Sequence, residues 1–345
     1  MNPGKRRLGI CFSPTGIGSS PTVFVPVPIT LILASLALIE KFPFMKSSTT
    51  LLLSLLSTTT FVFGGPKVLD IGTKPESVCR GFGGKLYVTM INGDEPGDGA
   101  IKVLDAKNEK ATVFAKGLNA PKGIAFVGGF LVTADETVVR KIDKKGKVTV
   151  LAEAKDFPKK IEFLNDVAAS RDGKSVYVTE MSHPKWMFDP DGERKLWPVN
   201  SKKAVPPMTG CVYKVGLDGK VSVAVAPGDK RMPGPNGVGV AGSKDKEILL
   251  MGDFFTGNIL AYSDKKLRVI AKDMRGADAV EAFGSKIYVS SWPLGKVWSY
   301  DRKTKKTTVL SEDFTTAADF YLDRKNKQLV IPDMLAGKLV FLPIK

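Results

Sequence analysis

Six polar residues recur in the same local setting along the chain. Each follows a proline or another apolar residue and precedes a short apolar run, as in Pro235-Asn236-Gly237-Val238. The six are Glu76, Lys122, Asn165, Asn236, Asp278 and Asp319. Carboxylate and amide oxygens are hard ligands that suit Ca²⁺, and Mg²⁺ or Mn²⁺ can use the same oxygens. The pattern therefore predicts either a divalent-cation site or a polar channel filled with water.

The spacing of these residues predicts the architecture that brings them together. Successive members are 46, 43, 71, 42 and 41 residues apart, and a four-stranded propeller blade takes roughly 40–45 residues. The chain also contains 34 Gly and 22 Pro, as expected for many short strands and turns. We therefore expect an all-β fold over residues 65–345, a six-bladed β-propeller of four-stranded blades. The six polar residues should meet at one mouth of its central channel.

The ends of the chain predict how the ring closes. Each repeat has an apolar second run, such as Leu86–Thr89, and a third run that alternates, such as Gly295–Tyr300. The sixth repeat ends after its third run, so its fourth strand must come from elsewhere. We expect Pro66–Ile71 to pair with Gly337–Phe341, because closure by an N-terminal strand leaves no exposed sheet edge.

The third repeat is about 28 residues longer than the others, and its excess is Ser182–Thr209. Long irregular segments in compact domains usually serve a function. A connection after a second strand lies on the same face as the start of a first strand, so this insertion should cover the polar ring. We interpret residues 182–209 as a substrate lid in which His183 and Trp186 contact substrate. The alternative is a loop whose aromatic residues cap a hydrophobic edge.

The ring residues fall into chemically distinct groups. Glu76, Asn236 and Asp278 supply two carboxylates and an amide oxygen for a cation, and Asn165 and Asp319 could extend that set or contact substrate. Lys122 is expected to pair with a ring carboxylate or to bind an anionic group of a substrate. His183 is the only histidine, which excludes a His-rich zinc site.

At these residues the chain resembles the SMP-30/gluconolactonase family, six-bladed propellers that hydrolyse sugar lactones with one divalent metal. The matching segments are Pro75-Glu76, Asn165-Asp166, Pro235-Asn236-Gly237, Ala277-Asp278 and Ser285–Val289. The resemblance implies that Glu76, Asn236 and Asp278 bind the metal and that Asp278 is also the general base. It implies contact of Asn165 with substrate or metal. Ca²⁺ is the expected cation, with Mg²⁺, Mn²⁺ or Zn²⁺ as alternatives.

Three residues depart from the family pattern. Phe163 stands where a substrate-binding Arg is expected, and Val167 and Ala279 stand where members tend to have Gly. The missing Arg argues against a polyhydroxy sugar acid. The function we expect is metal-dependent hydrolysis of a small lactone. The alternative is a non-catalytic exported propeller that binds a glycan or a protein and holds a structural metal.

The N-terminal region carries export signals. Residues 45–64 contain a short basic start at Lys46, an apolar run at Leu51–Leu56 and small residues before Gly65, which is typical of a signal peptide. We interpret residues 1–44 as a non-native extension that precedes a true start at Met45. The protein would then be periplasmic or secreted, with no stable membrane insertion after cleavage. A retained two-segment membrane anchor is the alternative.

Charge and cysteine content narrow the range of partners. The formal charge is +16, but the lysines cluster at hairpin turns such as Lys144-Lys145 and Lys265-Lys266. We expect these side chains to keep the protein soluble, with at most weak attraction to anionic polymers, and we expect no nucleic-acid partner. Cys79 and Cys211 lie at different strand positions of different repeats, so we expect two buried thiols and no disulfide.

Overall fold

The computed structural model describes residues 65–105 and 109–344. In that part of the chain the strands are, in order, β1 (Lys67–Asp70), β2 (Pro75–Arg80), β3 (Leu86–Met90), β4 (Gly99–Asp105), β5 (Lys110–Leu118), β6 (Pro121–Val127), β7 (Phe130–Asp135), β8 (Val138–Ile142), β9 (Val148–Ala152), β10 (Leu164–Ala169), β11 (Ser175–Glu180), β12 (Cys211–Gly216), β13 (Val221–Val225), β14 (Pro235–Gly242), β15 (Glu247–Asp253), β16 (Ile259–Ser263), β17 (Lys266–Ala271), β18 (Ala277–Phe283), β19 (Lys286–Ser291), β20 (Lys296–Asp301), β21 (Thr307–Ser311), β22 (Tyr321–Asp323), β23 (Gln328–Asp333) and β24 (Lys338–Pro343). Helix in the same residues is limited to the 3₁₀ turns Phe82–Gly84, Ala154–Asp156 and Pro184–Trp186.

These strands form six antiparallel sheets of four strands each. Blades 1 to 5 are the consecutive meanders β2–β5, β6–β9, β10–β13, β14–β17 and β18–β21. The sixth sheet has the order β1-β24-β23-β22. The predicted six-bladed β-propeller is therefore confirmed, including a last blade that takes its outer strand from the other end of the described chain.

The closing strand pairs with the predicted partner strand. Lys67 lies opposite Phe341 and Asp70 opposite Lys338 in an antiparallel ladder. Leu69 is buried in an apolar cluster with Val88 and Leu339, whereas Val68 is 47% exposed. One face of β1 therefore packs between blades 6 and 1 while the other meets solvent, as strand alternation requires.

The hydrophobic core is divided among the interfaces between neighbouring blades. Between blades 2 and 3, for example, Val132 and Val139 pack against Val176 and Val178. The second strands are almost entirely buried because they lie between the blade in front and the blade behind. Cys79 and Cys211 are both buried and free, as predicted.

A β-bulge in the first strand sets the direction of the ring side chains. In blade 1 the pairing steps from Pro75↔Met90 to Val78↔Val88, which inserts one extra residue at Glu76-Ser77. The first strands of blades 2, 3, 4 and 5 shift register at the same place. Such a bulge bends the strand and re-aims a side chain. Each of these five ring residues therefore leaves the regular alternation where its strand begins.

Hydroxyl groups on the second strands satisfy the backbone that the bulges free. The Ser77 amide donates to Thr89 Oγ1 at 2.9 Å, and the Asp166 amide donates to Thr179 Oγ1 at the same distance. The Thr179 hydroxyl in turn donates to the Asn236 carbonyl of the next blade at 2.7 Å. The last of these bonds ties the ring positions of blades 3 and 4 to one another.

The insertion predicted as a lid has its own apolar core. It connects β11 to β12. Its residues Met187, Phe188 and Trp197 pack with Phe254 and Phe255, which directly follow β15 in blade 4. Arg275 fixes it further by donating to the carbonyls of Trp197 at 2.7 Å and Phe255 at 2.9 Å. The insertion is therefore a packed cover over one end of the channel.

The predicted N-terminal extension (residues 1–44) and signal peptide (residues 45–64) lie outside the described residues. Within residues 65–105 and 109–344 no helix is long and apolar enough to cross a membrane.

Candidate cation and substrate site

Five of the six ring residues meet at one cavity. The cavity measures about 210 Å³ and is lined by Glu76, Ile91, Lys122, Phe163, Asn165, Met181, Pro184, Phe188, Asn236, Phe254, Asp278, Trp292 and Met334. Blades 1 to 5 supply the polar members through their bulged first strands. The insertion supplies Pro184 and Phe188, so it does cover the ring, as its position after a second strand predicts.

Close approach of blades 4 and 5 holds two of these residues together. A Cβ on Gly237 would lie 1.9 Å from the Asp278 carbonyl oxygen, so only glycine fits beside the next blade's backbone. Asn236 and Asp278 are the ring residues of those two blades. The glycine in Pro-Asn-Gly therefore allows the amide and the carboxylate to share one wall of the cavity.

Four oxygens in this cavity are buried and have no hydrogen-bond partner. They are Glu76 Oε2, Asn165 Oδ1, Asn236 Oδ1 and Asp278 Oδ1. Buried polar atoms are normally paired, so such a group requires an explanation. Two carboxylates and two amides form an oxygen-only donor set that fits a divalent cation such as Ca²⁺. The described residues bring no three His, Cys, Asp or Glu side chains together, so a cation site here depends on the amides.

Burial makes the two carboxylates electrostatically costly. It raises the pKa of Glu76 well above its usual range, and the charge of Asp278 raises it further, while Lys122 opposes both effects. Burial also raises the pKa of Asp278, with a contribution from Asp166, and a hydrogen bond from Asn236 opposes the shift. A cation would offset the desolvation of both groups because it supplies the missing opposite charge.

Lys122 adds the one positive charge among the residues that line this cavity. Its Nζ donates to the Ala120 carbonyl at 3.1 Å and lies 4.5 Å from the centre of the Phe163 ring. Burial lowers the pKa of Lys122, and the carboxylate of Glu76 partly restores it. An ammonium group has three donors, and the carbonyl of Ala120 takes one. The geometry suits contact with an anionic or carbonyl oxygen of a ligand.

Five apolar residues of the cavity lining share a position that sequence reasoning did not single out. Ile91, Met181, Phe254, Trp292 and Met334 each immediately follow the second strand of a blade. Blade 2 has Glu136 at this position. The repeat register that identified the ring could have identified this second set, because a period of about 40 residues applies to every position of a blade.

Asp319 does not line this cavity. It lines a second cavity of about 220 Å³ together with Asp166, and it accepts a hydrogen bond from the Ser77 hydroxyl. Its blade differs from the others, since β22 begins only at Tyr321 and Asp319 precedes the strand. Burial raises the pKa of Asp166 to about 7 against two backbone hydrogen bonds. The six ring residues thus separate into five that line one cavity and one that lines another.

The two candidates from the insertion do not line the cavity. His183 accepts a hydrogen bond at Nδ1 from the Lys185 amide at 3.3 Å, and its ring lies 6.2 Å from that of Phe163. Trp186 packs edge-on against Phe255 at 4.9 Å. Both residues therefore support the cover, and their neighbours Pro184 and Phe188 form its inner surface.

Comparisons with known proteins agree with this fold. A family model described as the SMP-30/gluconolactonase/LRE-like region matches residues 84–331. No curated protein matches the chain significantly. Among solved structures, luciferin-regenerating enzyme superposes with a TM-score of 0.57 at 14% identity, covering 80% of this chain and 94% of that one. A chain of a nidogen/laminin complex gives a TM-score of 0.50 at 15% identity, covering 68% and 79%.

Structural similarity at such low sequence identity shows the fold alone, whereas the match to the family model shows family membership. It covers more than half of the sequence and includes the ring residues of blades 2 to 5, Lys122, Asn165, Asn236 and Asp278. The chain belongs to the SMP-30/gluconolactonase/LRE-like family.

Proposed function

We propose that this propeller is a hydrolase of small lactones that depends on one divalent cation. The observation that carries the proposal is the set of four buried, unpartnered oxygens at the channel mouth. Membership of a family that includes lactonases supports the reaction class. The covered cavity of about 210 Å³ supports a small substrate, because it is below the usual size of drug-binding pockets.

Glu76, Asn165, Asn236 and Asp278 would hold the cation. Ca²⁺ is the best candidate because every donor is an oxygen and two are neutral amides, and Mg²⁺, Mn²⁺ and Zn²⁺ are the alternatives to test. When bound, the cation would polarise the lactone carbonyl and stabilise negative charge on its oxygen.

The protein's own residues would supply the remaining chemistry. Asp278 lines the cavity and would accept a proton from the attacking water as general base, through the carboxylate oxygen that does not hold the cation. Water adds to the carbonyl carbon, the ring C–O bond breaks, and Asp278 returns the proton to the departing alkoxide oxygen, so the product is a hydroxy acid. Lys122 would place positive charge beside the carboxylate that forms. The insertion would limit the entry of bulk water.

A lactone panel tests this proposal directly. Acid release from γ- and δ-lactones is followed with a pH indicator, first with protein treated with a chelator and then after addition of Ca²⁺, Mg²⁺, Mn²⁺ or Zn²⁺. We expect hydrolysis that is lost on chelation and restored by at least one of these cations. A parent protein that hydrolyses no lactone with any of the four cations would overturn the proposal. Cation binding without hydrolysis would favour the non-catalytic binding propeller.

A further inference from the structure

The apolar part of the cavity lining consists mainly of aromatic rings and thioethers. Phe163, Phe188, Phe254 and Trp292 line the cavity together with Met181 and Met334. The rings of Phe188 and Trp292 meet edge to face at 6.4 Å, and those of Phe188 and Phe254 at 5.9 Å. Three separate parts of the chain, the insertion and the loops after β15 and β19, thus build one apolar surface.

Two polar donors in this lining already have a partner within the protein. Trp292 Nε1 donates to Met334 Sδ at 3.1 Å. Asn165 Nδ2 donates to Met181 Sδ at 3.2 Å. The single indole hydrogen of Trp292 and one of the two amide hydrogens of Asn165 are therefore directed at sulfur atoms and away from a ligand. Among the residues that line the cavity, the ammonium of Lys122 is the charged donor that keeps hydrogens for a substrate.

We propose that the site selects small lactones that carry an apolar aryl or alkyl substituent, and that it rejects polyhydroxylated lactones. This inference rests on the proposed function, because it names the substrate class of the same cavity. The lactone carbonyl would face the four unpartnered oxygens and their cation. The substituent would lie against Phe163, Phe188 and Trp292.

The selectivity follows from the cost of burying unpaired polar groups. A sugar lactone would bring several hydroxyls against rings and methyl groups, and a buried hydroxyl without a partner is strongly unfavourable. An aryl or alkyl group would instead lose contact with water on the same surface and gain edge-to-face contacts with the rings. The same wall therefore favours one class and penalises the other.

Binding of non-hydrolysable lactams tests the inference without any need for catalysis. Calorimetric titration of the Ca²⁺-loaded protein compares 5-phenyl-2-pyrrolidinone with D-gluconolactam. We expect the phenyl lactam to bind about tenfold or more tightly than the polyol, the range that burial of an aromatic group provides. Equal or tighter binding of gluconolactam, or no binding of either lactam, would overturn the inference.

Two pairs of variants locate the selectivity on the apolar wall. Phe188→Gln should weaken binding of the phenyl lactam about tenfold and leave Ca²⁺ affinity unchanged. Phe188→Leu should change the affinity for the lactam and the affinity for Ca²⁺ by less than about threefold each. Ile91→Gln and Ile91→Leu repeat the comparison on a residue outside the insertion, in case Phe188→Gln disturbs the packing of the cover. Unchanged lactam affinity in both glutamine variants would contradict the assignment.

The two proposals fail in different ways. Hydrolysis of gluconolactone in preference to phenyl-substituted lactones would retain the lactonase and overturn the apolar substrate class. Tight binding of the phenyl lactam by a protein that hydrolyses no lactone would retain the apolar ligand class and overturn the enzyme.

Discussion

Glu76, Asn165, Asn236 and Asp278 each bury one oxygen that no group in the described structure satisfies. Each such atom costs free energy comparable to a lost hydrogen bond, and the two carboxylates cost more. A fold retains such groups where a ligand supplies the missing interaction. We therefore expect a bound cation to raise the stability of the whole propeller, because it binds the native state and not the unfolded chain.

Replacement of Lys122 tests whether its ammonium group competes with a bound cation for the carboxylate of Glu76. Lys122 is the positive group that opposes the raised pKa of Glu76, so it should compete electrostatically with a cation bound by the same carboxylate. We predict that Lys122→Met binds Ca²⁺ several-fold more tightly than the parent, since a nearby like charge is removed. Isothermal titration of both proteins with Ca²⁺ measures the difference.

Lys141→Met is the matched control for this prediction. Lys141 also donates to a carbonyl, that of Leu217 at 3.3 Å, and lies 5.1 Å from an aromatic centre, that of Phe130. It does not line the cavity, so its replacement should leave Ca²⁺ affinity unchanged. Weaker Ca²⁺ binding by Lys122→Met would show that the ammonium organises the site rather than opposing the cation.

At the scale of the element, the bulged first strand and the end of the second strand together build the site. The sequence repeat predicted the ring residues on the first strands, because they are polar groups at the start of apolar runs. It did not identify the residues at the ends of the second strands, because Phe254, Trp292 and Met334 look like ordinary core residues. Asp319 differs because the first strand of its blade is shorter, and nothing in its local sequence signals where that strand begins.

Arg275 holds the insertion in place through its hydrogen bonds to two backbone carbonyls. We predict that Arg275→Lys makes the insertion more accessible to protease, because a lysine cannot bond both the Trp197 and the Phe255 carbonyls with one planar group. Limited proteolysis followed by mass spectrometry should show faster cleavage within residues 182–209.

A second arginine with the same bonding pattern serves as control. Arg302 donates to the carbonyls of Gly284 and Ser285 in an exposed hairpin of blade 5. Arg302→Lys should leave cleavage of the insertion at the parent rate. If Arg275→Lys is cleaved no faster than Arg302→Lys, the apolar packing of the insertion alone holds it in place.

Carboxylates at the ends of second strands link the blades' loops to their sheets and give the fold a pH dependence. Asp253 is fully buried and accepts hydrogen bonds from the amides of Gly234 and Thr256, both at 2.7 Å. Burial nevertheless raises its pKa to about 6. A raised folded pKa means that the native state holds the proton more tightly, so this contribution to stability is present below about pH 4 and is lost as pH rises through 6.

Asp253→Asn removes this titration. We predict that the free energy of unfolding of the parent falls relative to that of the variant between about pH 4 and pH 7, and that the difference levels off above that range. Urea denaturation of both proteins at several pH values measures it. A difference that is independent of pH would show that the hydrogen bonds hold the pKa of Asp253 near its ordinary value.

At the scale of the whole molecule, closure by β1 was the most predictable feature. A ring of sheets leaves an unpaired edge unless a strand from the other end of the chain completes the last blade. The alternation around Leu69 also determined which face of β1 is buried. The course of the insertion was less predictable, because an irregular segment has no period that reports which residues point inward.

Substitutions in β1 test the contribution of closure to stability. We predict that Leu69→Ala lowers the free energy of unfolding by about 2–3 kcal/mol, the lower part of the range for a buried leucine. Val68→Ala on the exposed face should cost about 0.5 kcal/mol or less. Thermal and urea denaturation compare the two variants. Equal losses would mean that β1 contributes through backbone pairing and not through burial between blades 6 and 1.

We propose that the unpartnered oxygens hold a cation on which lactone hydrolysis depends. The Ca²⁺ dependence of the hydrolysis rate in an Asp278→Asn variant tests this proposal. The substitution keeps the shape of the side chain but lowers its charge and removes the base. Asp333→Asn is the control, since Asp333 is a buried carboxylate that only accepts hydrogen bonds from the Thr315 and Thr316 amides, each at 2.9 Å.

We predict that the parent and Asp333→Asn reach the same maximal rate at the same Ca²⁺ concentration. Asp278→Asn should require more Ca²⁺ and, once saturated, hydrolyse the preferred lactone roughly 100-fold more slowly or worse, the usual effect of losing an acid–base group. If Asp278→Asn saturates at the parent's Ca²⁺ concentration and reaches the parent's rate, the site does not perform the proposed reaction.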